Sequence, residues 1–416
     1  MAEVRPSLKP LEEVLARMLE VARARAIRET ELVPTLQAWW RILARPVHST
    51  LDVPPADNTS MDGYALRVAD VPQAGVCLPV SQRIPAGVVG QPMQPGTAAR
   101  IFTGAQVPPG ADAVVMQEQC DAIAGDGLGQ VRVNAVPAPG QWIRRRGEDV
   151  MADSQVLAAG DRLTPQALGL AASVGAAELE VCRRPRVALF STGDELVMPG
   201  QPLKPGAIYN SNRYTLHALL QAAGCTVSDL GIVPDSREAT RQALREAALG
   251  HDLVLTSGGV SVGEEDHLKP AVQAEGWLEA WQVAMKPGKP LAFGAIGRGD
   301  GGESLFMGLP GNPVSSFVTF VLTVAPVLRA LQGSPVVLPR PIEARAAFAW
   351  PRPDRRREFL RVRFDANGGV EIFANQSSGV LTSAVWAEAL LDNPAGQAIA
   401  PGDMVKLLPL SALMSA

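Results

Sequence analysis

The chain has 416 residues, more than one hydrophobic core usually organises, so about two to four domains are expected. Its apolar fraction of 47% and charged fraction of 19% are those of an ordinary globular protein and exclude a disordered chain. A net charge of −4 supplies no global basic field, which excludes a general binder of nucleic acid or anionic membranes and leaves any anionic ligand to local groups.

Cys77, Cys120, Cys182 and Cys225 form no Cys-x-x-Cys pair, and only four histidines accompany them, so no thiolate or imidazole metal site is expected. The first ten residues are polar and contain proline, unlike a secretory leader, and the expectation is a protein of the reducing cytoplasm. Residues 315–328 are the most apolar stretch; broken by Pro326 and shorter than the ~20 residues that cross a bilayer, they read as a buried helix.

In chain order, residues 8–27 place Leu8, Leu11, Val14, Leu15, Met18, Leu19 and Ala22 at three- and four-residue spacings, which predicts an amphipathic helix. A second helical run is predicted at 35–43, with Trp39-Trp40 as a packing feature near its end. From Pro46 to about Arg144 the sequence is dense in Gly and Pro, with short strand candidates at 98–102, 113–117 and 130–133, which predicts a small β domain. From Pro185 strands and helices alternate: 186–191, 212–223, 226–233, 237–249, 252–257 and 264–275. That alternation predicts a parallel sheet. It continues through 281–285 and 305–309 into a helix at 313–331 that opens on proline, a favoured first-turn residue. Residues 336–416 again read as β, with alternation at 359–364 and 370–373. The fold class is multidomain α/β plus β.

In such a sheet ligands collect at the carboxyl ends of the strands. One strand runs into Thr192-Gly193-Asp194-Glu195-Leu196. Another runs into Gly258-Gly259-Val260-Ser261-Val262-Gly263, whose glycines and free amides at a helix start suit phosphate. A bare glycine loop is weak evidence, and Glu264, Glu265 and Asp266 beyond it would alone read as acids favouring the helix dipole. A third end is Lys286-Pro287-Gly288-Lys289-Pro290, two lysines in a proline-stiffened segment, suited to an oxyanion. The fourth is Leu309-Pro310-Gly311-Asn312-Pro313. Together they suit a phosphorylated ligand with a divalent metal of the magnesium type. Arg144-Arg145-Arg146 reads as a solvated basic run.

These segments, with Pro54-Pro55-Ala56-Asp57-Asn58-Thr59-Ser60-Met61-Asp62-Gly63-Tyr64-Ala65, Arg100-Ile101-Phe102-Thr103-Gly104-Ala105 and Gly147-Glu148-Asp149, resemble the molybdopterin molybdenumtransferase family, in the family's order and from Leu8 to about Leu408. The family includes the plant molybdenum insertase domain and the C-terminal domain of gephyrin. The resemblance implies a homodimer of four-domain subunits, with the cleft between the α/β domain of one subunit and the insert domain of the other. The corresponding division here is a helical and extended N-terminal domain of 1–50 with 145–180, a β-rich insert of 51–144, a molybdopterin-binding α/β domain of 181–335 and a C-terminal β domain of 336–416.

The resemblance further implies insertion of molybdate into adenylylated molybdopterin with release of AMP. By motif position, Asp62, Thr103, Asp149, Glu195, Asp235 and Asp266 are catalytic, with Glu195 and Asp266 holding Mg²⁺. Gly258, Gly259, Ser261, Gly263, Lys286, Lys289, Pro310, Pro313, Arg361 and Ser378 bind substrate. Ala56 and His267 depart from the family's usual aromatic and tyrosine. The implied partners are a second copy, the adenylyltransferase of the preceding step and proteins that accept the cofactor. Two rival readings are that adenylyltransferase itself, which resembles 181–335 only, and a non-catalytic scaffold. Tungstate preference, the metal's identity and the downstream cofactor form are not written in the sequence.

Overall fold

The computed structural model describes residues 8–259, 267–335 and 338–414. Leu11–Ala24 is a helix burying Leu11, Val14, Leu15, Met18, Leu19 and Ala22, the predicted stripe less its first residue. This face joins the core of the α/β unit and packs on the helix Ala325–Leu331. The helix predicted at 35–43 is absent: only Thr35–Gln37 coils, as a 3-10 turn, and Trp40 has a φ of +66°. Its backbone is claimed from outside. Trp40 N donates to Leu163 O and Leu43 N to Asp161 O, each at 2.9 Å, so pairing with distant chain overrides local propensity. Of the Trp39-Trp40 pair, read as a packing or interface feature, Trp40 is held by its Nε1 donating to Ala222 O at 3.2 Å, whereas Trp39 is exposed.

Thr30–Pro34 pairs antiparallel with Glu178–Cys182, and Val47–His48 with Gln155–Leu157, so the chain returns to this small unit after a long insertion. The insertion is a six-stranded sheet in the order Ala113–Met116, Gly63–Leu66, Ala98–Ile101, Val76–Ile84, Gln130–Val133, Cys120–Ile123. The three strands predicted there are all present.

The central sheet has the order Thr226–Val233, Arg186–Thr192, Leu253–Ser257, Glu303–Leu309, Pro290–Gly297, Gly276–Gln282. Its first four strands are parallel, as the alternation predicts. The last two correct that expectation: 290–297 runs antiparallel to 303–309, and 276–282 antiparallel to 290–297. The connection Arg298-Gly-Asp-Gly-Gly is too short for a crossover helix, and only a hairpin fits it. The strand predicted at 281–285 splits. Its first part ends the sheet, whereas Met285–Lys286 pairs with Arg357 and Glu358 of the C-terminal unit. The helix predicted at 264–275 is seen as Leu268–Glu275; its first residues lie outside the described ones.

The predicted helix 313–331 is α-helical at Pro313–Thr319, π-helical at Phe320–Val324 and α-helical again at Ala325–Leu331. Pro326 has no N–H for the carbonyl four residues back, and the wider turn absorbs its ring. By length and composition these 19 residues could cross a membrane, but 314–331 are buried inside the protein, as a core helix is. After it, Ile342–Ala346, Arg357–Phe364, Gly369–Ile372, Ala389–Asn393 and Met404–Pro409 close into a barrel, because 357–364 pairs with both 369–372 and 389–393.

Phe293, on the antiparallel strand, stacks on Trp281 at 5.8 Å and meets Trp277 edge-on. Phe293→Ala removes the shared member of this layer and is expected to cost about 3–5 kcal/mol. Calorimetry should show a clearly lowered melting temperature, and an unchanged one would mean the layer contributes nothing.

Candidate functional site

The ends of the parallel strands are shaped by glycine. Gly258 and Gly259 have φ values of +91° and +63°. A Cβ on Gly258 would stand 2.8 Å from the Thr192 carbonyl oxygen, and one on Gly259 2.9 Å from Thr192 Oγ1. Conformation and space therefore both require glycine. The loops are tied together: Gly258 N donates to Leu309 O at 3.1 Å, Asn212 Nδ2 to Gly311 O at 2.7 Å, and Asp235 N to Asp194 Oδ1 at 3.4 Å.

The lysine segment lies against the buried helix because Gly288, at φ +107°, lets it; a Cβ there would stand 2.5 Å from Thr319 Oγ1. Lys286 Nζ donates to Glu358 Oε1 at 3.3 Å and lies 3.4 Å from Asp354 Oδ2. Asp354 is itself gripped by Arg356, through Nε at 3.0 Å and Nη2 at 2.9 Å. These bonds hold the Asp354 carboxyl far below the usual carboxylate range and raise the Arg356 guanidinium.

A cleft of about 790 Å³ opens over these ends. Of the residues singled out in the sequence it gathers Glu195, Asp235, Gly258, Gly259, Lys286, Lys289, Pro310 and Ser378. Lining residues that the sequence did not single out include Asn212, Arg356, Gln376 and Ser377. Asn212 was read as part of a helix, and Arg356 stands between Arg355 and Arg357, so nothing local marked them. Pro313 starts the helix beside the cleft without lining it.

Arg361 does not line the cleft. It is 1% exposed, and its guanidinium donates through Nε to Ser383 Oγ at 3.1 Å, through Nη1 to Phe359 O at 3.2 Å and through Nη2 to Ser377 O at 3.4 Å. Arg361 thus braces from below the loop that carries Ser378, and burial lowers its pKa to about 10.

Asp62 and Thr103 lie in the inserted sheet unit and Asp149 in an exposed loop; none of the three lines the cleft. Ser261, Gly263 and Asp266 lie outside the described residues. The basic run is exposed but not free: Arg145 pairs with Asp57 and Arg146 with Asp52, pinning the turn.

The fold and cleft define a multidomain α/β protein whose central sheet and adjoining barrel bring strand-end glycines and two lysines to one cleft. Matches to family models agree: the MoeA N-terminal region (domain I and II) at residues 9–175, the probable molybdopterin binding domain at 188–330 and the MoeA C-terminal region (domain IV) at 343–410. A molybdopterin molybdenumtransferase of Haemophilus influenzae is 44% identical over 73% of this chain and 74% of its own length. Molybdopterin molybdenumtransferase 2 of Mycobacterium tuberculosis is 38% identical over 93% of this chain and 95% of its own. The crystal structure of the molybdopterin biosynthesis moeA protein of Pyrococcus horikoshii superposes with a TM-score of 0.79 at 29% identity, covering 96% of this chain and 99% of that one. The chain belongs to the molybdopterin molybdenumtransferase family.

Asp62 accepts hydrogen bonds from Thr103 N and Thr103 Oγ1, both at 2.7 Å, and these, the amide first, hold its carboxyl below the usual range. A depressed carboxylate adds stability above its unfolded pKa and loses it as pH falls through the folded value. Thr103→Val removes the hydroxyl donor and is expected to move the Asp62 titration, followed by carboxyl NMR, up towards the ordinary range. An unmoved titration would deny the hydroxyl any part in it.

Proposed function

We propose that this chain inserts molybdate into adenylylated molybdopterin and releases AMP, the last step of molybdenum cofactor assembly. The observation that carries the reading is one cleft lined both by strand-end glycines and by Lys286 and Lys289. The bare glycine turn at Gly258 and Gly259 lets a pyrophosphate approach the backbone closely. Lys286 and Lys289, with Ser378 beside them, suit a tetrahedral oxyanion through charge-assisted hydrogen bonds. Water or a molybdate oxygen attacks the phosphate, and no protein nucleophile is required. The flanking domains favour this reading over the adenylyltransferase of the preceding step.

Magnesium fits the donor set. Glu195 and Asp235 line the cleft, and no group of three His, Cys, Asp or Glu able to hold a metal gathers among the described residues. Mg²⁺ takes one or two carboxylates, keeps several waters and completes its shell with substrate phosphates. Glu195 and Asp266 would hold it, and when bound it supplies positive charge at the scissile phosphate. The protein's own groups orient the two substrates and exclude other geometries.

The reading extends to the assembly. Asp62 and Thr103 from the insert region, and Asp149 from the segment that follows it, enter the chemistry from a second copy, in a cytoplasmic homodimer that receives its pterin from the adenylyltransferase and passes the cofactor to accepting proteins. The subunit divides into 1–50 with 145–180, 51–144, 181–335 and 336–416.

The test is incubation of the purified protein with adenylylated molybdopterin, Mg²⁺ and molybdate, following AMP and active cofactor together; AMP release at the uncatalysed rate would sink the proposal. Within it, replacing both Lys286 and Lys289 by alanine is expected to raise half-saturation by molybdate roughly a hundredfold or more while pterin binding changes little. Unaltered half-saturation would rule the lysines out as the oxyanion seat.

A further inference from the structure

Carboxylates are almost never fully buried unless paired, and Glu358 is 0% exposed. Its two oxygens are used differently. Oε2 accepts from Trp350 Nε1 at 2.8 Å and from Asn393 Nδ2 at 3.4 Å, both neutral donors of the barrel. Oε1 takes Lys286 Nζ at 3.3 Å, and Lys286 is the only cation within ion-pairing distance of Glu358 among the described residues. The nearby Arg356 spends its charge on Asp354.

The backbone makes the same connection. Met285–Lys286 runs parallel to the start of the barrel strand, with Lys286 in register with Glu358, so strand pairing sets both ends of the ion pair. If the site served stability alone, an apolar side chain of similar volume would avoid the desolvation cost of a buried charge. The carboxylate instead lies under the one lysine that reaches from the sheet into the cleft and touches the barrel.

We propose that Glu358 is a positioning residue for the oxyanion step: anchored by Trp350 and Asn393, it holds the Lys286 ammonium by one hydrogen and leaves its others for the oxyanion. The inference rests on the lysine pair being the molybdate seat. Asp354, at 3.4 Å and matched by Arg356, flanks the ammonium without replacing this anchor. The barrel thereby sets the affinity of a cleft built mainly by the central sheet.

The test uses the full chain in four forms: wild type, Glu358→Gln, Lys286→Met and the double variant, each measured for molybdate half-saturation, turnover at saturating molybdate, pterin binding and melting temperature. Glu358→Gln puts an amide donor where the carboxylate was. It is expected to raise half-saturation by roughly 10-fold while turnover at saturation and pterin binding hold within about twofold. In the Lys286→Met background the same change should add nothing, because the group it acts through is gone. Lys286→Met alone should melt lower, with an uncompensated buried carboxylate, and the double variant should recover most of that loss. This thermal coupling is readable even if Glu358→Gln alone folds poorly. Additive effects of the two substitutions, or half-saturation unchanged in Glu358→Gln, would overturn the positioning role while leaving the proposed activity intact. A wild-type protein whose AMP release ignores molybdate would overturn both.

Discussion

The arrangement of the cleft depends on the burial of one helix. Residues 314–331 are buried, and the apolar body around them joins three distant parts of the chain. Val14 and Met18 come from the first helix, Val187 and Leu189 from the central sheet, Phe359, Leu390 and Leu413 from the C-terminal segment. At ~25 cal/mol per Å² of apolar surface, such shared burial outweighs any single polar contact in the site. Its first turn follows Asn312 at one strand end, and its side at Thr319 backs Gly288 of the lysine segment. Fixing this helix therefore fixes two of the four cleft edges at once and docks the barrel beside them.

Against that apolar support the charges are local and opposed. A chain with net charge −4 attracts no anion at long range, so affinity must come from groups already aimed. The barrel side supplies the aim by alternating signs over short distances, with Arg356 on Asp354 and both Asp354 and Glu358 on Lys286. Arg361 belongs to the same logic at one remove. Motif position suggests a ligand-facing guanidinium, yet its donors serve Ser383, Phe359 and Ser377, and its effect on the cleft runs through the loop it braces.

Periodic elements and glycine-rich strand ends were legible in the sequence because their causes are local. The stripe of the first helix, the three insert strands, the parallel strands and the buried helix each follow from side-chain spacing. Pairings decided elsewhere were not legible. The stretch 35–43 has helical spacing, but Leu163 and Asp161 take its amides. The strand Pro290–Gly297 carries Gly294 and Gly297 and little β-branching, so nothing in it signalled an edge-side antiparallel strand. Its glycine is explained only by a neighbour: a Cβ on Gly294 would stand 2.1 Å from Trp277 O. Within the cleft, Lys286 and Lys289 stood out by their prolines. Arg356 and Glu358 were hidden in Arg355-Arg356-Arg357-Glu358, which reads as a solvated charge run until the barrel closes over it.

Motif order and spatial grouping are separate matters in this chain. Every residue that lines the cleft lies at Thr192 or beyond, whereas Asp62, Thr103 and Asp149 belong to the segments before it. The Asp62–Thr103 pair is already built, with two short hydrogen bonds fixing the carboxylate in its ionised form. A preset anion that lines no part of its own chain's cleft has little local purpose in a surface sheet, where a serine or asparagine could close the same turn without a charge. On the proposed reading its purpose is supplied by symmetry: a two-fold pairing of copies uses each surface twice, so the insert of one chain can complete the cleft of the other. The lysines of one subunit and Asp62 of the other would then serve one cleft, and the rigidity that the buried helix gives to the first would have to be matched at the dimer contact for the second.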